Sequence, residues 1–194
     1  MMDKSKQRSA AAAWLIVFCF LIVWEASVIL FRLPSYLLPA PSNVLRTLIN
    51  NLELYLDASV ITLGEALAGL LLGMLAGALI AGLLTLHPVL ESGVMTLAIL
   101  VKSTPLVAIA PLFTLWLGFG VLPKILITAL LTFFPVLVNV LSGLQRTDDA
   151  LMDLFRSWNA TRGEIFFNLR VPFALPYLFA ALKISAALAL IGAV

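Results

Sequence analysis

The chain has 194 residues, 62% hydrophobic and 11% charged, with a formal net charge of +2. That composition belongs in a membrane and not in a soluble domain, and so few, scattered charges exclude the basic patch of a nucleic-acid binder. A single cysteine, Cys19, excludes a disulfide framework or a CxxC centre built from this chain alone.

A membrane-crossing helix needs about 20 mostly apolar residues. Five segments meet that length: Ala10–Phe31, Ala58–Leu86, Val94–Leu117, Leu122–Leu144 and Phe173–Val194. Lys4, Lys6 and Arg8 precede the first, as in a signal peptide, but the apolar run is too long for one, and an uncleaved first span is expected. Glu25 and Arg32 are spaced two helical turns apart and read as an anchor near the outer interface.

Between the first two spans, Arg32–Asp57 contains LPSYLLPAPSNV, whose Pro34, Pro39 and Pro41 forbid one continuous helix but permit an extended stretch and a short surface helix. Residues 1–57 therefore read as an N-terminal transmembrane helix with an extracytoplasmic segment, and residues 58–194 as a transmembrane core.

The second span places Gly69, Gly73 and Gly77 on one face, a spacing that lets two helix backbones approach closely, within the chain or at a subunit seam. Glu65 in the same span either lines an entrance or pairs with another helix. HPVLES, His87–Ser92, reads as a tight turn. In the third span Lys102, Ser103, Thr104 and Pro105, with Pro111 further on, mark a helix that flexes, lines a pathway or packs irregularly.

LGFGVLP is a second turn, with Pro123 suited to a helix start. Pro135 and Asn139 pose the same choice in the fourth span, and Lys102, Ser103, Thr104, Pro105 and Asn139 are the candidate pathway or gating residues. Lys183 lies about one-third of the way into the last span.

With the N-terminus inside, seven basic residues (Lys4, Lys6, Arg8, Arg146, Arg156, Arg162, Arg170) fall on cytoplasmic segments, against three (Arg32, Arg46, Lys124) outside. The positive-inside rule favours that orientation. It also disposes of Asn159-Ala160-Thr161 as a glycosylation sequon, since a cytoplasmic loop never meets that machinery. His87 lacks acidic or cysteine partners at metal-ligand spacing, and GxxxxGK[ST], HExxH and GxSxG are absent, so neither a metal site nor ATP hydrolysis is expected on this chain.

One long segment is too polar to span. From Asp148 to Leu169 the residues Leu151, Leu154, Phe155, Trp158, Ile165, Phe166 and Leu169 recur at helical steps, interrupted near Asn159–Gly163. Two short cytoplasmic helices are predicted, with Pro172 and Pro176 leading into the last span. Such a segment either rests in the headgroups or docks a partner.

LFRSWNATRGEIFFNLRVPFALPYLFAALKISAALALIGAV resembles the cytoplasmic coupling loop and following span of binding-protein-dependent ABC transporter permeases, the membrane subunits of type I importers. Trp24-Glu25, LLPAPS (Leu37–Ser42), KSTPLVAIAPLFTLWLGFG (Lys102–Gly120) and FFPVLVNVLSGL (Phe133–Leu144) look like the same family, nearest to its sulfonate, taurine, nitrate, riboflavin and thiamine-precursor branch.

The resemblance implies an all-α polytopic helix bundle of six spans, five of them present, and a chain truncated or fragmentary at IGAV. It places the family's Glu-Ala-Ala motif on Asp153, Leu154 and Phe155, and its glycine on Asn159, departures that keep an acidic group and a residue able to take a left-handed backbone.

It further implies a coupling loop at about 146–172 in which Asp153, Arg156, Ser157, Trp158, Asn159, Ala160, Thr161, Arg162, Gly163 and Glu164 contact an ATPase subunit. ATP and Mg would be bound by that partner and no cofactor by this chain. An extracytoplasmic solute-binding protein, a second permease copy, membrane lipid and the bacterial-type cytoplasmic membrane complete the expectation. The rival readings are an ion-coupled secondary transporter or channel working through Glu25, Glu65, Lys102 and Lys183, and a nonfunctional remnant.

Overall fold

A computed structural model describes residues 4–103 and 106–194, with backbone alone for residues 4–11, 88, 101–103 and 106–108. Among the described residues the regular elements are all helices: α1 (Lys4–Leu30), α2 (Pro41–Asn50), α3 (Leu52–Leu86), α4 (Pro88–Ser103), α5 (Leu106–Leu117), α6 (Val121–Gln145), α7 (Asp149–Ser157), α8 (Arg162–Ile165), a π-helical turn (Phe166–Arg170) and α9 (Val171–Ala193). The chain divides into two compact units, Met1–Ala58 and Ser59–Val194.

In the first unit α2 begins with Ala40 at its N-cap and Pro41 at N1, so its own sequence offers no side-chain acceptor for the exposed backbone N–H groups. Glu25, on α1, supplies one. Its carboxylate accepts from the Ser42 backbone N–H at 3.0 Å and from the Ser42 hydroxyl at 2.7 Å. The partner of Glu25 is thus Ser42, whereas Arg32 lies past the end of α1 with φ 47°, off the helical path that the two-turn spacing assumed.

The second unit is built on α3, α6 and α9. Gly69, Gly73 and Gly77 are buried on α3 and face α6. A Cβ on Gly69 would collide with Thr128, one on Gly73 with the Thr132 hydroxyl and the Ala129 carbonyl, and one on Gly77 would lie 2.9 Å from the Phe133 carbonyl. Residue numbers rise together along this contact, so α3 and α6 run parallel.

Against α9 the order reverses: Gly192 meets Thr128, Ser185 donates to the Thr132 carbonyl at 3.4 Å, and Gly143 meets Ala174 and Tyr177. Thr128, Thr132 and Ser185 are fully buried at the junction of the three helices. Small residues and short hydroxyls are what helices use to associate in lipid, where no hydrophobic effect pulls them together.

Glu65 of α3 is also buried, and Lys124 Nζ, in the first turn of α6, lies 3.4 Å from its carboxylate. The open choice for Glu65 therefore resolves to a helix-to-helix ion pair.

Among the described residues four helical stretches are long and apolar enough to cross a membrane: Ala12–Leu30, Leu52–Leu86, Val121–Gln145 and Arg162–Ala193. The predicted third span falls on α4 and α5, on either side of residues 104–105, which lie outside the described residues. Because α3 and α6 are parallel, the chain must return between them to the end where α3 began. Glu91, early in α4, accepts from Gln145 Nε2 at 2.7 Å at the C-terminal end of α6, and α5 packs on α6 and leads into its start. At 1.5 Å per residue the two helices are about 24 and 18 Å long, enough together for the return.

Other boundaries also shift. Only His87 separates α3 from α4, because Pro88 at the helix start needs no N–H partner and the predicted turn collapses to one residue. α6 starts at Val121, two residues before Pro123. The last helix does not start after Pro172 but runs from Arg162. A π-helical turn, in which the Val171 N–H reaches the Phe166 carbonyl, widens the backbone just before Pro172 and lets the ring fit.

Gly73→Leu should destabilise the protein by about 1–3 kcal/mol or more, the cost of overpacking, because backbone and not a flexible side chain obstructs it. Gly64→Leu on the same helix, where nothing lies within 4 Å, should leave the unfolding midpoint in detergent near the native value. Equal midpoints for the two variants would disprove the close α3–α6 approach.

Candidate functional site

The loop between α6 and α9 starts where Arg146 caps α6, its backbone N–H donating to the Ser142 carbonyl at 3.1 Å. Asp148 then caps α7, its carboxylate accepting from the Ala150 N–H at 2.9 Å, and Asp149 adds negative charge to the first turn, where the helix dipole favours it. α7 is strongly amphipathic. Met152 is buried and Leu151 and Phe155 half-buried, while Asp153, Arg156 and Ser157 face outward, with Arg156 and Asp153 paired at 3.1 Å on the surface.

On α7 and at its C-cap two large apolar side chains remain uncovered, Leu154 at 42% and Trp158 at 68% exposure, and Phe167 is exposed further along the loop.

The break is an ordered structure. Asn159 has φ 54°, the left-handed conformation in which helices commonly terminate. Its N–H donates to the Arg156 carbonyl at 3.0 Å and the next N–H, of Ala160, to the Phe155 carbonyl at 3.1 Å. That pair of bonds is the Schellman motif, and asparagine tolerates its backbone better than most side chains.

Two residues on, Thr161 opens α8 with a capping box: its N–H and hydroxyl reach the Glu164 carboxylate at 2.7 and 2.8 Å, and the Glu164 N–H returns to the hydroxyl at 3.3 Å. One helix is thus stopped and another started within four residues, Trp158 to Thr161, both by local hydrogen bonds.

Of the ten loop residues named from the resemblance, nine are exposed (Asp153, Arg156, Ser157, Trp158, Asn159, Thr161, Arg162, Gly163 and Glu164) and Ala160 is half-buried. They lie along the C-terminal half of α7, the break and the start of α8.

The candidate pathway residues are described only in part. Thr104 and Pro105 lie outside the described residues, and of Lys102 and Ser103 only helical backbone is described. Asn139 turns back on its own helix, its side-chain amide donating to the Pro135 carbonyl at 2.8 Å. Of the charges that an ion-coupled transporter would use, Glu25 caps α2 and Glu65 is paired with Lys124.

One cluster escaped the sequence reading. Arg156, Arg162 and Arg170 line a single cavity with Thr85 at the C-terminal end of α3. Helical spacing offers no signal for it, because Thr85 comes from another helix. Among the described residues no group of His, Cys, Asp and Glu is placed to hold a metal ion.

The chain matches the family described as binding-protein-dependent transport system inner membrane component over residues 69–194. It is 34% identical to a Haemophilus influenzae protein named "Probable ABC transporter permease protein", over 93% of this chain and 74% of that one. It is 36% identical to the formylaminopyrimidine transport permease protein ThiX of Halalkalibacterium halodurans, over 89% of this chain and 69% of that one. To the riboflavin transport system permease protein RibX of Chloroflexus aurantiacus it is 33% identical, over 90% of this chain and 66% of that one. The helical bundle, the family match and these identities together place the chain in the binding-protein-dependent transport family, as a permease subunit of an ABC importer.

Proposed function

We propose that this chain and a second copy of it line the translocation pathway of an importer, energised by separate ATPase subunits that bind ATP and Mg, and fed by an extracytoplasmic solute-binding protein. It sits in a bacterial-type cytoplasmic membrane with its N-terminus and its α7–α8 loop in the cytoplasm. In this reading the loop is the coupling element. The observation that carries it is the rigid break at Asn159 with Trp158 standing 68% exposed beside it. A large aromatic left in water on an otherwise hydrogen-bonded turn suits docking into a groove of another protein.

The transported solute in this reading is a heteroaromatic vitamin or vitamin precursor. The support is the 36% and 33% identity to permeases named for formylaminopyrimidine and riboflavin. Sulfonate, taurine and nitrate are the other members of the class anticipated from the sequence.

Trp158→Asp should reduce co-purification of the ATPase by about tenfold or more, the cost of losing an aromatic anchor, with membrane levels of the permease unchanged because the residue is exposed. Asn159→Gly should preserve uptake and Asn159→Val should abolish it, since valine resists φ 54° and glycine does not. Full ATPase retention by Trp158→Asp, or equal uptake by the two Asn159 variants, rules out the coupling assignment.

For the solute, the cognate binding protein should gain thermal stability with a thiamine-precursor pyrimidine or a flavin and not with taurine, alkanesulfonates or nitrate. Stabilisation by a sulfonate alone would replace the substrate class and leave the coupling role standing.

A further inference from the structure

Two cavities of the second unit meet at Leu86 and Phe166, which line both. The first is a groove of about 540 Å³ between α3, α6 and α9, bordered by Leu79, Leu83, Leu144 and Leu175 among others, and every residue of its lining is apolar or glycine. The second, of about 460 Å³, carries Arg156, Arg162, Arg170 and Thr85, and its remaining lining (Leu86, Met152, Ile165, Phe166) is apolar. Three arginines thus border one hollow whose described lining contains no acidic residue.

Among the described residues only Arg156 of the three has an acidic partner, Asp153, and that pair is exposed on both sides, where an ion pair contributes little. Arg170 is half-buried and its Nε is enclosed without a hydrogen-bond acceptor, an arrangement that costs stability unless an acceptor arrives.

The chemistry that satisfies such a hollow is a phosphate group: several acceptor oxygens around one negative centre, matched to the planar forks of arginine. Its source is decided by the neighbouring groove, since a free phosphate has no use for an adjoining apolar channel and a lipid does. The two features also adjoin along one helical stretch. Arg162 and Arg170 lie in the first turns of the apolar helical stretch Arg162–Ala193, and the apolar groove runs on from them along the same stretch through Val171, Ala174, Leu175 and Leu178, the order of headgroup and acyl chain in a lipid.

We propose that the paired cavity binds an anionic glycerophospholipid, with its phosphate on Arg162 and Arg170, Arg156 at the rim, and an acyl chain in the groove between α3, α6 and α9. Bound there, the lipid joins the start of α8 to the end of α3 and sets the stance of the loop.

The test uses the purified chain in detergent, titrated with dioleoyl phosphatidylglycerol, dihexanoyl phosphatidylglycerol, dioleoyl phosphatidylcholine and inorganic phosphate, with bound lipid read by native mass spectrometry. Dioleoyl phosphatidylglycerol should bind and the phosphatidylcholine should not. Arg162→Gln should weaken it about fivefold, and Arg162→Gln with Arg170→Gln about thirtyfold, the scale of one and two basic residues at an anionic surface.

The corresponding pair of lysine substitutions should retain binding. Gly82→Leu, whose Cβ would sit 3.3 Å from Phe166 Cζ at the groove, should weaken the long-chain lipid while leaving inorganic phosphate unaffected.

Equal retention of dioleoyl phosphatidylglycerol by the paired glutamine variant overturns the proposal. So does equal binding of the dihexanoyl lipid or of inorganic phosphate, which would make the pocket a free-anion site. So would displacement of the lipid by added ATPase together with loss of ATPase binding in the glutamine pair, which would assign the arginines to a protein contact, or exclusion of the lipid by a second copy of the chain. If the paired glutamine variant does not accumulate, the comparison of dioleoyl with dihexanoyl lipid on the native protein decides.

Discussion

Where Gly73 passes Ala129 and Thr132, two helix backbones lie closer together than any side chain larger than hydrogen permits. In water such a contact would be one among many burying apolar surface. In lipid it is what remains, because the surroundings are as apolar as the helices and only dispersion, hydrogen bonds and shape distinguish a neighbour from a hydrocarbon tail. The same economy governs the contact of α6 with α9, where Gly143 of α6 meets Ala174 and Tyr177, Gly192 of α9 meets Thr128, and the buried Ser185 hydroxyl reaches across to the Thr132 carbonyl. Because glycines at more than one turn bring backbone against backbone in both contacts, they fix direction as well as distance. α3 is held parallel to α6, and α9 antiparallel to both.

That directionality positions the loop. α3 and α6 end together and α9 starts beside them, so the helices α7 and α8 are attached to the end of the bundle at which three helices converge. The Schellman stop at Asn159 and the capping box at Thr161 leave little torsional freedom between α7 and α8. α8 then continues into α9 through the π-helical turn without a break. A displacement of α8 is therefore carried by a continuous helix to the Ser185–Thr132 contact, and in the proposed complex this is the route by which movement of an ATPase would reach the spans.

The glycine stripe, the apolar runs and the interrupted amphipathic segment were all legible in the sequence, because each is written in local spacing. Local chemistry also marked the loop break: Asn159 and Thr161 are a helix stop and a helix start side by side. What spacing could not name were partners. Nothing around Gly69, Gly73 and Gly77 identifies α6 as the opposing helix, and Glu65 gives no sign of Lys124, 59 residues further along.

Glu25 misled for a related reason, since Arg32 lay nearby in sequence while the real demand came from Ala40, an N-cap residue with no acceptor of its own. Proline was read too strictly: Pro172 looked like a boundary, and the π-helical turn that accommodates it has no sequence signature.

The departures from the Glu-Ala-Ala pattern can now be sorted by what each does. Asn159 stands where the family resemblance puts glycine, and its φ of 54° preserves the backbone for which glycine is used, so that change is structurally silent. Phe155 stands where the resemblance puts alanine and is half-buried, with its ring 6.0 Å from that of Trp158 in a tilted pair. Leu154, at 42% exposure, is the change a partner would meet directly. The loop backbone thus keeps the form that the resemblance leads one to expect, while Leu154 and Trp158 give it an apolar outward surface. A groove shaped for paired alanines would clash with that surface, so in the proposed complex the choice of ATPase would be set by those two side chains more than by the turn itself.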